Sequence, residues 1–94
     1  MLPGLTTKAS EGPTIASATV ITVKNDIVTV SGTAAIETIK GQFGGGFSGV
    51  VVLIPTAAFT TVTTGNVAIA STAVIGKALI MFYKKSTGKW YPSY

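Results

Sequence analysis

Nucleophilic catalysis needs a Ser, Thr, Cys or Lys made reactive by a neighbouring base, and this chain offers many hydroxyls but no His and no Cys. Its only carboxylates are Glu11, Asp26 and Glu37. Glycoside hydrolysis requires two carboxylates facing each other across the bond to be cut. Here Glu11 falls in an N-terminal arm and Asp26 in a turn, which leaves Glu37 alone on an expected strand. Zinc sites are built from Cys and His, and neither is present. The stretch Gly44-Gly45-Gly46-Phe47-Ser48-Gly49 has the G-x-G-x-x-G spacing of a dinucleotide loop. That loop works where a helix N-terminus meets the pyrophosphate, whereas here a Val-rich run follows it. The expectation is a protein with no catalytic residue, no cofactor and no metal site.

Aromatic side chains are the other group with binding chemistry. The closing Trp90-Tyr91-Pro92-Ser93-Tyr94 gathers the one Trp and two of the three Tyr, and Phe43 and Phe47 sit in a Gly-rich loop at 41–49. Trp and Tyr combine a flat apolar body with a polar tip, which suits subunit interfaces and sugar surfaces. Phe43, Phe47, Trp90, Tyr91 and Tyr94 are therefore the candidate interface or partner-binding residues, with packing in the core as the competing role for the C-terminal group. The seven cations are all Lys. Without the bidentate fork of Arg, recognition of phosphate or guanine is not expected, and the cluster Lys84, Lys85 and Lys89 reads as the solvated tip of a turn.

These residues must be held by a small fold. A chain of 94 residues has room for one domain and buries only about 60–65% of the surface its unfolded form exposes. It has no disulfide or metal to compensate. Charged residues are 11% and apolar ones 47%, against roughly 25% charged in an ordinary soluble domain. The shortage of charge predicts that apolar surface is covered by another copy or a partner. No basic start followed by a long apolar stretch opens the chain, and the apolar region at 67–82 is broken by Ser71, Thr72, Gly76 and Lys77. It is read as two strands, with no membrane span.

β-Branched residues dominate from Thr14 onward, in short alternating runs separated by turn residues every eight to twelve positions. That pattern predicts an all-β fold, a compact antiparallel sandwich or barrel of jelly-roll type. The expected division is a flexible arm at 1–13 and one β-domain at 14–94. Asn25-Asp26 reads as a two-residue hairpin turn, Gly65-Asn66 as another turn, and the apolar run at 50–54 as a central strand buried on both faces. No internal repeat is visible.

The chain resembles, by pattern, a family of small β-rich modules found in tailed-bacteriophage virion proteins. The residues that carry the resemblance are Thr14-Ile15-Ala16-Ser17-Ala18, Val30-Ser31-Gly32-Thr33 with Ile36 and Thr38-Ile39, Gly46-Phe47-Ser48-Gly49 and Leu53-Ile54-Pro55. They continue through Gly65-Asn66-Val67-Ala68, Ala70-Ser71-Thr72-Ala73-Val74, Gly76-Lys77-Ala78-Leu79 and the C-terminal Trp90 to Tyr94. The chain departs from the family in carrying Lys84-Lys85-Ser86-Thr87-Gly88 where a shorter Asp-Gly turn is usual. The resemblance implies a trimeric β-domain made in the host cytoplasm and located in the virion, on the capsid or at a fibre tip. With a short arm and no fibre shaft, a capsid decoration (cement) protein bound to the major capsid protein is the leading expectation. A fibre-tip module that binds a host glycan is the alternative.

Overall fold

The structure, a computed structural model, describes residues 9–41 and 48–94. It is all-β: β1 (Ile15–Ala16), β2 (Val20–Thr22), β3 (Ile27–Ser31), β4 (Thr38–Lys40), β5 (Gly49–Pro55), β6 (Thr60–Thr61), β7 (Ser71–Thr72), β8 (Leu79–Lys84) and β9 (Lys89–Pro92). Stiff β-branched side chains favour the pleated backbone, and no helix forms among the described residues.

Three times in succession the chain lays a strand in a five-stranded sheet and then bends into a second layer. The sheet has the order β1-β3-β5-β8-β9. Its β1, β3 and β5 run parallel, while β5, β8 and β9 are antiparallel. In the second layer β2 runs parallel to β4, and a parallel bridge from Ile36 to Thr61 brings in β6. Successive passes therefore stack in one direction, like the coils of a short solenoid. The β8–β9 hairpin completes the far edge, its return eased by Gly88 at φ 68, a backbone region open to Gly.

The antiparallel expectation holds for β5–β8–β9 and β6–β7 but not for the first three passes. Asn25-Asp26 is a bend and not a hairpin, because the edge of β3 that a returning strand would need is already occupied. Ser10 to Gly12 lie along it: Ile27 N donates to Ser10 O at 2.9 Å, and Gly12 N donates to Ile27 O at 2.9 Å. The Asp26 carboxylate accepts from Ser10 N at 2.9 Å and from Ser10 Oγ at 3.2 Å. The repeated path leaves no repeat in the sequence because its coils are unequal. Ile15 pairs with Val30, Val20 with Thr38 and Ile27 with Val52, so equivalent positions are spaced differently on each pass.

Ladder partners share a face, and the inward rows are apolar. Val28, Leu53 and Leu79 form one row, Val51, Met81 and Pro92 the next. Ile21 and Ile39 face them from the second layer, with Phe59, Val67 and Trp90 filling the space between. The buried hydroxyl of Thr61 is satisfied by Ser71 N at 2.9 Å and Ile69 O at 3.2 Å. Ser17 Oγ, by contrast, is buried without a hydrogen-bond partner among the described residues. An unsatisfied buried hydroxyl costs more than a methyl in its place, so Ser17→Ala is expected to leave stability unchanged or raise it by up to about 1 kcal/mol. Thermal denaturation followed by circular dichroism checks this, and a clear fall in Tm would show that the hydroxyl makes a bond.

Candidate functional site

The outward side of the five-stranded sheet departs from an ordinary protein surface. On a one-sided antiparallel sheet the outward residues are usually polar. Here Ile27, Val52 and Ile80 form one outward row and Val50, Phe82 and Tyr91 the next. Ile54 extends the apolar area beside Thr29. No strand or loop among the described residues lies across these rows, and Val50 and Phe82 are 44% and 46% exposed. The run at 50–54 is thus central in its sheet, as expected, but among the described residues only its inward side chains are buried. Its outward side chains are exposed or half-buried.

Charges border this face. Glu11 pairs with outward-facing Ile27 through a parallel bridge and stands at the β1 side. Lys84 and Lys89 pair directly across the β8–β9 ladder at the opposite side, with Lys85 in the adjoining turn. The outward positions between these two borders carry no charged residue.

The candidate aromatics are scattered over different environments. Phe43 and Phe47, and with them most of the Gly-rich loop, lie outside the described residues. Trp90 is 1% exposed and belongs to the core. Its indole N–H donates to Ile39 O at 3.1 Å, and its ring sits 5.1 Å from that of Tyr83 at a tilt of 49°. Core packing, the competing role for this residue, is the one it fills within the chain. Tyr91 is half-buried on the outward face, its hydroxyl donating to Thr87 Oγ1 at 3.0 Å. Tyr94 packs against the core margin. Its hydroxyl donates to Lys77 O at 2.9 Å and accepts from Val74 N at 3.2 Å, while Lys77 Nζ lies 4.5 Å above the ring. Of the three described candidates only Tyr91 stands on the apolar face.

Sequence reasoning missed Ile27, Val50, Ile80 and Phe82 as surface residues. The signal was present, since residues 50–54 and 79–83 are apolar at both alternate sets of positions, and a strand of that kind needs cover on two sides. Two further features adjoin the fold. Ile69, Val74 and Ile75 are 52%, 50% and 65% exposed near the β7 end. A cleft of about 220 Å3 opens between Pro13, Ile15, Thr22, Lys24, Asn25 and Val28 at the first coil. No family model, no curated protein and no solved structure matches this chain.

Proposed function

We infer that this chain is a structural component of a bacteriophage particle, a capsid decoration (cement) protein that works as an oligomer, a trimer by the resemblance of its sequence, and has no catalytic role. The observation that carries the oligomeric part is the apolar face of the five-stranded sheet, which no other described residue covers. A patch holding Val50, Val52, Ile80 and Phe82 is the kind of surface that self-association covers. In a domain without disulfides or metals, covering it also supplies stability that a lone 94-residue chain lacks. The viral setting is supported by the pattern of residues shared with tailed-phage virion modules. Glycan recognition through Trp90 is the weaker reading, because a ring buried in the core cannot stack on a sugar.

The test has two parts. Light scattering at micromolar concentration is expected to give a trimer, and Val50→Ser with Phe82→Ser is expected to weaken association at least about tenfold, the equivalent of about 1.4 kcal/mol. The fold should survive, since both positions are exposed. Co-sedimentation with assembled capsids, and mass spectrometry of purified particles, then test the decoration role. A wild-type chain that stays monomeric, or that is absent from particles and does not bind capsids, would overturn the proposal.

A further inference from the structure

We propose that the apolar face is closed by a second copy through a charged seam, in which Glu11 at the β1 edge of one copy meets Lys84 and Lys89 at the β8–β9 edge of the other. This rests on the reading that the face is a self-association surface, and it names the residues that set how copies meet.

Three observations lead to it. First, Lys84 and Lys89 are direct ladder partners, and like charges placed opposite each other destabilise a sheet. A carboxylate brought between them would relieve that repulsion. Second, the chain has few carboxylates to offer. Asp26 is engaged by Ser10, and Glu37 precedes β4 in the second layer. Glu11 is exposed and its ladder partner Ile27 faces outward, so it is the carboxylate at the border of the apolar face. Third, the two charged borders lie on opposite sides of a five-stranded sheet, about 19 Å apart at ordinary strand spacing. Within one chain the Glu11 carboxylate and the lysine pair cannot meet. Between chains they can, and only when the acidic edge of one copy faces the basic edge of another.

Matching like edge to like edge would place lysines against lysines in a chain already carrying a net charge of +4. That arrangement is selected against, because like-charge juxtaposition is a strong source of discrimination at interfaces. A two-fold pairing of faces makes this contact twice, Glu11 of each copy against the lysines of the other, and a heterologous pairing makes it once per copy and closes into a ring when the rotation between copies divides a full turn.

The experiment is charge reversal read by sedimentation equilibrium, with Trp90 fluorescence as the check on folding. Glu11→Lys alone, and Lys84→Glu with Lys89→Glu, are each expected to raise the dissociation constant at least about tenfold. The triple variant carrying all three reversals is expected to regain most of the wild-type affinity, because it restores opposite charges across the seam. Wild-type association should weaken as salt rises from about 0.05 M to about 0.5 M, where screening is stronger. If neither reversal changes association while Val50→Ser with Phe82→Ser still dissociates the oligomer, the seam is wrong and the self-association face stands. If the wild type is monomeric and the reversals instead change capsid binding, the capsid occupies the face and the seam is overturned together with the self-association reading.

Discussion

Replacing Trp90 by Ala is expected to remove most of the stability of the chain, about 3–5 kcal/mol out of the roughly 5–14 kcal/mol that a domain of this size possesses. The indole is the largest fully buried side chain and packs between the two layers with Tyr83 at its side. Its backbone is equally committed, since Trp90 N donates to Asn66 O at 2.8 Å and Trp90 O accepts from Ala68 N at 2.8 Å. Trp90→Phe separates packing from polarity. It keeps a ring in the cavity and removes only the indole donor, and Ile39 O retains its bond from Asn66 Nδ2 at 2.8 Å. That change adds a smaller core side chain to one lost hydrogen bond, so a loss of about 1–2 kcal/mol is expected. Urea denaturation followed by circular dichroism measures both. Equal losses for Ala and Phe would show that the indole N–H, and not the volume of the ring, is what the core depends on.

Gly65→Ala is expected to be nearly as damaging, by about 2–5 kcal/mol, although it adds a single methyl group. A Cβ at this position would overlap the Glu37 carbonyl oxygen and would stand 2.6 Å from its carbon. Both are backbone atoms, so the two segments would have to move apart. What they would lose is a strand-like pairing made by a side chain. Asn66 Oδ1 accepts from Ile39 N at 2.8 Å and its Nδ2 donates to Ile39 O at 2.8 Å, while Asn66 N donates to Glu37 O at 3.0 Å. The Asn66 amide thus extends the edge of β4 as another strand would. Asn66→Ala breaks the same pairing without the clash and leaves Ile39 N–H unpaired, with an expected cost of about 2–3 kcal/mol. The reverse outcome is informative: a Gly to Ala change that fits its site stabilises by up to about 1 kcal/mol through the unfolded chain. An unchanged or raised urea midpoint for Gly65→Ala would mean that the close approach to Glu37 is not maintained in solution.

These two sites mark the limit of what the sequence makes legible. Gly65-Asn66 stands out as a turn signal, yet its role is to hold a strand 27 residues away in the chain. Trp90 stands out as a candidate binding aromatic, yet its indole partner is 51 residues away. Asn25-Asp26 looks like a hairpin turn by local chemistry, and Ser10 to Gly12 take the place where the hairpin would have closed. In each case the residue type carries the signal, and its partner lies far outside the local sequence.

By itself the sequence determined the all-β character, the central place of the run at 50–54, the return of the chain at Ser86-Thr87-Gly88 and the shortage of charge. Each depends on local backbone preference or on composition, which are properties of short windows. The tertiary structure alone decided that the first passes stack in parallel, that Trp90 belongs to the core and that the outward face of β5 and β8 is apolar and uncovered by other described residues. Those outcomes depend on which distant segments reach a sheet edge first and on how unequal coils fill a common core. The five-residue apolar run implies cover on both sides, and the described residues supply it on one.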